Sequence, residues 1–275
     1  MRKIRGFLKL MRPLNLLIVI YASFVAFLIS GLCGHPAPFF KFLIPILLLA
    51  GFSNALNDIM DARLDEKAHP ERPIPSKLLS VKEATVFTVI LGLLTFLSSF
   101  LYGNEILTTR IVFLLGLVLV ILYDIYLKKV AFVGNLIVSF VTSFPFLILA
   151  LEIGNFHLLW YPILCAILYN LAREAIKDME DLGADREFGY KTLPAFLGEK
   201  GIKIYASFLL FLLLIFTVIA YLRVFHRPIF LIFMCFLWLY LGIITWKEKS
   251  FSKLSEDFKY CMILILSGFL LGGAL

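Results

Sequence analysis

Long uninterrupted runs of apolar side chains are the feature that most limits what this chain can fold into. Two examples are the stretches from Phe140 to Leu151 and from Phe208 to Leu222. A transmembrane β-barrel would instead show segments of about ten residues with alternating polarity. The apolar runs therefore predict membrane-spanning α-helices, because a helix satisfies its own backbone hydrogen bonds within lipid.

The composition excludes a soluble globular protein. Hydrophobic residues make up 61% of the 275 residues, and charged residues make up 16%. Soluble domains carry about 25% charged residues. Disordered and fibrous chains are excluded by the same apolar content. We predict an all-α, polytopic membrane protein, with residues 1–275 forming a single domain.

Nine apolar stretches approach the length of about 20 residues that a helix needs to cross a bilayer. They lie near residues 14–33, 39–60, 83–102, 106–127, 132–152, 157–177, 204–222, 229–246 and 259–275. The predicted architecture is nine transmembrane helices enclosing a central cleft.

The formal net charge of +7 is explained by membrane topology. With nine spans, 22 of the 26 Lys and Arg residues fall on the same side as residue 1. The other four are Lys41, Arg110, Arg223 and Arg227. By the positive-inside rule, residue 1 is predicted to be cytoplasmic and residue 275 to lie outside. The charge needs no nucleic-acid partner, and none is expected.

The four cysteines are scattered singly through or beside apolar spans, without the spacing of a metal site or a disulfide frame. We expect Cys33, Cys165, Cys235 and Cys261 to be small packing residues. The basic segment before the first span resembles a signal peptide without a convincing cleavage site, so an uncleaved first span is predicted. The absence of a transit segment favours a prokaryotic cytoplasmic membrane.

Two predicted cytoplasmic segments carry the same arrangement of acids, 120 residues apart. The first has Asp58, Asp61 and Asp65, and the second has Asp178, Asp181 and Asp185. On a helix, positions i, i+3 and i+7 lie on one face. The repeat predicts two pseudo-repeated four-helix halves in which spans two and six are equivalent, with span nine left over.

The position of these acids points to bound cations. Each triad is predicted at a helix C-terminus, where the macrodipole is already negative and like charges repel. The simplest alternatives are a solvated acidic loop and helix capping, and the C-terminal position argues against capping. Because 17 of the 19 acids lie on this side and only Glu105 and Glu152 on the other, the chemistry is expected here. Oxygen ligands without His or Cys favour Mg²⁺, whose remaining ligands are commonly water and substrate phosphates. The sequence therefore predicts Mg²⁺ and a diphosphate substrate.

Basic residues on the same side offer direct contacts to phosphate. Topology alone would also place them there, so this role is a hypothesis for each residue. They are Arg63, Lys67, Arg72, Lys128, Lys129, Arg173 and Lys177. Among those outside the acidic motifs, Lys128 and Lys129 are favoured because they directly follow the end of span four.

Metal ions and cations that neutralise a diphosphate leaving group allow an allylic C–O bond to ionise. The resulting carbocation is captured by a nucleophile, and aromatic faces stabilise it. Tyr123 and Tyr126 are the aromatic candidates near the predicted site. The predicted catalytic residues are Asp61, Asp65, Asp181, Asp185 and Lys128.

Both acidic motifs and the nine spans resemble the UbiA-type intramembrane prenyltransferase family over essentially the whole chain. The resemblance rests on two segments, Asn57–Asp58–Ile–Met–Asp61–Ala–Arg–Leu–Asp65 and Asp178–Met–Glu–Asp181–Leu–Gly–Ala–Asp185. The resemblance implies an all-helical fold, Mg²⁺ as cofactor and a polyprenyl diphosphate donor. It adds Asn57 to the six aspartates as a predicted metal ligand, and Asn54 and Asn57 to the predicted diphosphate-binding residues.

Four further stretches resemble one branch of that family. They are Gly51–Asp58, Pro70–Lys77, Val133–Leu136 and Arg173–Asp181. This branch joins geranylgeranyl diphosphate to the free hydroxyl of geranylgeranylglyceryl phosphate in ether-lipid biosynthesis. The resemblance implies a lipid acceptor that carries a phosphate, which accounts for the additional cations Arg173 and Lys177.

Two alternative functions remain open at this stage. An aromatic prenyltransferase of quinone biosynthesis would use the same donor and accept 4-hydroxybenzoate or a naphthoate. A cation transporter would place acids through the bilayer midplane, whereas these spans are nearly free of charge between their ends. Membrane lipids are expected neighbours in either case, and the oligomeric state is not predicted.

Overall fold

The computed structural model describes residues 2–32, 36–102 and 107–272. Within these ranges the chain is helical apart from short connections, and its one β-bridge is a parallel contact between Val130 and Lys191. Cys33 and Glu105 lie outside the described residues. The all-α prediction is confirmed for the described part of the chain.

Twelve α-helices follow one another in the described ranges. They are α1 (Arg2–Leu10), α2 (Pro13–Ile29), α3 (Pro36–Met60), α4 (Ala62–Ala68), α5 (Val81–Ser98), α6 (Leu107–Ile125), α7 (Val133–Thr142), α8 (Phe144–Ile153), α9 (Phe156–Glu187), α10 (Leu193–Arg223), α11 (Pro228–Lys247) and α12 (Phe251–Gly272). Short 3₁₀ turns extend α5 at Ser99–Leu101 and follow α6 at Leu127–Lys129.

In the described residues, each predicted span overlaps a helix or a bent helix pair, but fewer than nine of these are both long enough and apolar enough to count as spans. Among the described helices, α3, α5, α6, α10 and α11 do so alone. The number rises to at most seven if the pairs α1–α2, bent by 51°, and α7–α8, bent by 53°, each count as one span. The chain is therefore an integral membrane protein with several apolar helices, and nine spans remain a prediction.

The two remaining helices carry more polar residues than the others. The first half of α12 contains Lys253, Glu256, Asp257 and Lys259. The apolar part of α9 contains His157 and Asn170 as well as the aromatics Trp160 and Tyr161. These side chains lower the mean hydropathy of the two helices without shortening them.

The helices group into two compact units, taken from the described residues of Met1–Ile20 with His35–Lys128 and of Tyr21–Gly34 with Lys129–Leu275. In the first unit, α3 packs against α1, α5 and α6. Gly92 lets α5 approach closely, since a Cβ at this position would lie 2.9 Å from the Phe52 ring. In the second unit, α9 packs against α7, α8, α10 and α12.

A buried aromatic cluster stabilises the second unit. Tyr161 packs edge-on against the rings of Phe225, Phe230 and Phe269. Its hydroxyl lies 2.5 Å from Thr217 Oγ1, so the one polar group of the ring has a partner. Cys165 and Cys261 are buried and Cys235 is half-buried, and all three are free, as expected for packing residues.

Gly272 lies against this cluster, and we predict that Gly272→Ala lowers the free energy of unfolding by about 1–3 kcal/mol. A Cβ there would meet the Phe230 ring at 2.8 Å and the Phe225 ring at 2.9 Å, and buried rings cannot move aside easily. Thermal unfolding in detergent measures the effect. Gly183→Ala in α9 is the control, since its Cβ would meet nothing within 4 Å. An unchanged midpoint for Gly272→Ala would contradict the packing.

Candidate active site

The first acidic segment crosses the junction between α3 and α4. Asp58 lies in the last turn of α3, Asp61 lies between the helices, and Asp65 lies on α4. The backbone hydrogen bonds continue through the junction, from Asp61 N to Asn57 O at 2.9 Å and from Asp65 N to Asp61 O at 2.8 Å. The helical spacing of the triad is therefore kept, although a helix boundary divides it.

The second acidic segment lies within one continuous helix. Asp178, Asp181 and Asp185 all fall in the last ten residues of α9. This placement agrees with the predicted C-terminal position. The first triad instead extends past the end of α3, so the two segments are similar in spacing but not identical in local structure.

Each carboxylate of the first triad is paired with a cation from elsewhere in the first unit. The pairs are Arg12 Nη2 with Asp58 Oδ1 at 2.5 Å, Lys128 Nζ with Asp61 Oδ1 at 2.5 Å, and Arg72 Nη1 with Asp65 Oδ2 at 2.6 Å. Arg72 Nη1 also lies 3.7 Å from Asp58 Oδ1. Three like charges are thus tolerated on one helical segment because three cations neutralise them.

Asn57 connects these pairs into one network. Its Nδ2 donates to Asp61 Oδ2 at 2.9 Å and to Asp124 Oδ1 at 3.0 Å, and its Oδ1 accepts from Arg12 Nη2 at 2.8 Å. Asp124 is buried, with Lys128 Nζ at 3.9 Å. Within the described residues, Asp124 Oδ2 has no hydrogen-bond partner. Asn57 therefore orients two carboxylates at once.

Arg12 and Asp124 were not among the residues predicted from the sequence. Arg12 was counted only as a topological cation before the first span. Asp124 lies directly after the candidate Tyr123 and four residues before Lys128, which is the spacing of a helical ion pair. That spacing is the signal that would have identified Asp124, whereas the contact of Arg12 with Asp58 spans 46 residues and has no local signature.

The pKa of Asp65 is raised above its ordinary value, and Arg72 opposes this shift. Burial raises the pKa of Asp65, the Arg72 guanidinium lowers it, and the negative charges of Asp61 and Asp58 raise it further. Arg72 donates to both carboxylate oxygens, at 2.7 and 2.6 Å. Both contacts come from the one nitrogen Nη1, and a hydrogen bond between ionised partners is stronger than one between neutral groups.

We predict that Arg72→Ala lowers the free energy of unfolding by about 3 kcal/mol, because it leaves the Asp65 carboxylate buried and unpaired. The double variant Arg72→Ala/Asp65→Ala should recover part of the loss. Thermal unfolding of the parent chain, Arg72→Ala, Asp65→Ala and the double variant gives the coupling energy between the two side chains. The control is Arg63→Ala. Arg63 is exposed and has no ion pair among the described residues. Equal stability of Arg72→Ala and Arg63→Ala would contradict the buried pair.

The acids of the second triad have partners of different kinds within the second unit. Asn135 Nδ2 donates to Asp178 Oδ2 at 2.8 Å, Lys177 Nζ lies 2.8 Å from Asp181 Oδ2, and Thr192 Oγ1 donates to Asp185 Oδ2 at 3.2 Å. Arg173 is paired with Glu174 on the same helix. Arg173 Nε is buried and has no hydrogen-bond partner within the described residues.

The remaining predicted residues are less closely tied to these networks. Asn54 Nδ2 donates to Met11 O at 3.0 Å, and Asn54 accepts from Asn15 at 3.3 Å. Lys129 is exposed and lies over the Tyr190 ring at 5.4 Å. Tyr123 is half-buried, whereas Tyr126 is 68% exposed. The structure thus brings Asn57 and the first triad together with Arg72 and Lys128, and leaves Arg63 and Tyr126 outside that network.

The predicted metal ligands have the chemical character that a hard cation requires. Asn57 and the six aspartates offer only oxygen ligands, which suit Mg²⁺. In residues 2–32, 36–102 and 107–272, however, no three acidic, His or Cys side chains are gathered into a ready metal site. Each carboxylate of the first triad is instead directed at an Arg or Lys side chain. The metal-ligand assignment therefore remains a prediction.

Comparison with known proteins gives consistent results. The model of the UbiA prenyltransferase family matches residues 16–266. A protein of Methanococcus maripaludis named digeranylgeranylglyceryl phosphate synthase is 32% identical over 277 residues, covering 98% of each chain. A solved structure of digeranylgeranylglyceryl phosphate synthase is 25% identical, with a TM-score of 0.76 over 100% of this chain and 99% of the other.

A further similar fold is that of a UbiA homologue from Archaeoglobus fulgidus, solved with DMAPP and Mg²⁺ bound. It has a TM-score of 0.68 at 15% identity, over 95% of this chain and 99% of the other. At this identity the likeness concerns the fold alone.

Proposed function

The chain belongs to the UbiA prenyltransferase family, and we propose that it transfers a geranylgeranyl group from its diphosphate to the hydroxyl of geranylgeranylglyceryl phosphate. Family membership confirms the resemblance seen in the sequence and makes the chain a membrane-embedded prenyltransferase. The acceptor is supported by the full-length similarity to the Methanococcus maripaludis protein. The product would be a phospholipid of ether-lipid biosynthesis.

The observation that carries the donor half of this proposal is the network of the first acidic segment. Carboxylates proposed to hold Mg²⁺ lie within 2.6 Å of Lys128 and Arg72 nitrogens. The proposed metal ligands and the proposed phosphate-binding cations thus lie in one region of the first unit. A diphosphate, which carries several negative charges, needs both kinds of group. Prenyl diphosphate and Mg²⁺ are the ligands of the Archaeoglobus fulgidus homologue.

We assign the metal to Asn57, Asp58, Asp61 and Asp65 in the first unit and to Asp178, Asp181 and Asp185 in the second. Mg²⁺ would neutralise charge on the departing diphosphate. Lys128 and Arg72 would donate to phosphate oxygens, with Arg63, Lys129 and the amides of Asn54 and Asn57 as further donors. Asp61, Asp65, Asp181, Asp185 and Lys128 are the proposed catalytic residues.

The reaction would begin when the bond between the prenyl C1 and the diphosphate oxygen breaks, with the electron pair leaving on the diphosphate. The ring of Tyr123, which is half-buried beside Asp124, would face the allylic cation and stabilise it. The acceptor hydroxyl oxygen then bonds to C1 and releases its proton. In the second unit, Arg173 and Lys177 are proposed to bind the acceptor phosphate, since the buried Arg173 Nε lacks a protein partner among the described residues.

We propose that α2, α3, α5, α6, the pair α7–α8 and α9 to α12 provide nine spans. Two pseudo-repeated four-helix halves and a ninth helix would supply an apolar cleft for the prenyl chain. The matched family region, residues 16–266, includes parts of both compact units, which supports a single prenyltransferase domain. The distribution of Lys and Arg supports a cytoplasmic residue 1, an external residue 275 and a site open to the cytoplasm of a cell membrane.

A competition assay tests the proposal. The purified chain is incubated with radiolabelled geranylgeranyl diphosphate and Mg²⁺ in the presence of geranylgeranylglyceryl phosphate, 4-hydroxybenzoate and a dihydroxynaphthoate together. The expected result is label in the phospholipid product alone. Label in an aromatic product alone would overturn the acceptor and leave the donor standing. No transfer to any acceptor would overturn the donor as well.

A further inference from the structure

Helix α1 is a short basic helix joined almost directly to the first span. It contains four cations, Arg2, Lys3, Arg5 and Lys9, and no acid. Only Met11 and Arg12 separate it from α2, and the two helices are bent by 51°. Four cations in nine residues exclude the hydrocarbon core as the location of α1. The bend therefore places the helix where the chain leaves the membrane.

One face of α1 is held by the first unit. Gly6 and Leu10 are buried, and a Cβ at Gly6 would lie 2.8 Å from the Leu79 side chain. Phe7 packs against Phe87 of α5 with ring centroids 4.8 Å apart. Lys3 pairs with Glu83, the capping-box residue of α5. These contacts fix the rotation of α1 about its axis.

The fixed rotation leaves two other stripes uncovered. Ile4 and Leu8, one turn apart, are 64% and 51% exposed and form an apolar stripe. Arg2, Arg5 and Lys9 form a basic stripe beside it, exposed and without ion pairs among the described residues. Helices with adjoining apolar and basic stripes lie in the plane of a membrane surface, with the basic residues at the headgroups.

We propose that α1 is an interfacial helix that binds anionic lipid headgroups through Arg2, Arg5 and Lys9, while Ile4 and Leu8 insert beneath them. Charge complementarity selects this occupant, because three unpaired cations and no acid on the helix favour an anionic surface. The proposal does not depend on the prenyl acceptor. Binding of α1 would then depend on anionic lipid, whereas the apolar spans anchor the protein in the membrane whatever the headgroup charge.

A cavity of about 570 Å³ beside α1 is a weaker candidate for binding the anionic headgroup. Arg2, Lys3 and Lys77 contribute cations to its lining, but Glu66 and Glu83 contribute acids. The opposing charges, and the pairing of Lys3 with Glu83, leave little net attraction for a phosphate there. The exposed basic stripe is therefore the binding surface.

The test uses the full chain with Ile4→Cys carrying a polarity-sensitive fluorophore, in a background where the four native cysteines are replaced by alanine. Detergent micelles are titrated with phosphatidylglycerol or with phosphatidylcholine. We expect a blue shift with phosphatidylglycerol at low lipid concentration. The variant Arg2→Gln/Arg5→Gln/Lys9→Gln should weaken the apparent affinity about fivefold for each cation, on the order of a hundredfold in all.

The matched control removes three exposed cations elsewhere, Lys200→Gln/Lys247→Gln/Lys249→Gln, and should keep the affinity of the parent chain. The difference between the two triple variants should shrink at high salt. Equal responses of the parent chain to both lipids would overturn the headgroup assignment. Quenching of the fluorophore by aqueous iodide at saturating phosphatidylglycerol would overturn the insertion of Ile4.

Discussion

The Asp61→Asn variant is expected to lose on the order of a thousandfold in kcat/KM for prenyl transfer. The substitution keeps the shape of the side chain and removes the charge that faces both Lys128 and the proposed Mg²⁺. Asn57 and Lys128 both contact the Asp61 carboxylate, at 2.9 and 2.5 Å. A steady-state assay with labelled donor measures the loss, and circular dichroism confirms that the helices persist.

Glu66→Gln is the matched control for Asp61→Asn. Glu66 is an exposed acid on α4, next to Asp65, so this variant makes the same change of charge close by. Its kcat/KM should stay within about twofold of the parent chain, since exposed substitutions change little. Full activity of a folded Asp61→Asn protein would contradict the role given to the first triad.

The Asp181→Asn variant is expected to show a loss of similar size, on the order of a thousandfold, although its carboxylate belongs to the second unit. Lys177 Nζ lies 2.8 Å from Asp181 Oδ2, one helical turn away. The substitution removes the charge that pairs with this lysine and replaces a proposed anionic metal ligand with a neutral amide. Single-turnover kinetics at saturating Mg²⁺ separate a slower chemical step from weaker metal binding.

Glu180 gives an internal comparison on the same helix. It is exposed, immediately precedes Asp181, and lies outside the D-x-x-D-x-x-x-D spacing. Glu180→Gln should therefore retain activity. Equal losses of activity in Glu180→Gln and Asp181→Asn would contradict the assignment. They would show that activity depends on the total negative charge of the segment and not on the helix face defined by the spacing.

The apolar spans were predictable because their signal is local. Runs such as 204–222 and 229–246 lie within α10 and α11. The span predicted at 132–152 is instead divided at Ser143 into α7 and α8. Pro145, in the first turn of α8, cannot donate a backbone hydrogen bond, and it is the residue in the sequence that indicates this bend.

The acidic residues of the candidate site were predictable from spacing, but their partners were not. The triads repeat at fixed offsets, and a helix converts those offsets into a shared face. The contacts of Asn57 with Arg12 and Asp124 join residues 45 and 67 positions apart. Such pairings depend on how α3 packs against its neighbours, which no short sequence pattern records.

Binding of a donor analogue that cannot ionise tests the central claim most directly. Calorimetric titration of the full chain with geranylgeranyl thiolodiphosphate should give tight binding with Mg²⁺ and at least tenfold weaker binding after the metal is removed with EDTA. Asp61→Asn and Asp181→Asn should each abolish the difference, and Glu180→Gln should preserve it. Equal affinity with and without Mg²⁺ in the parent chain would contradict the account.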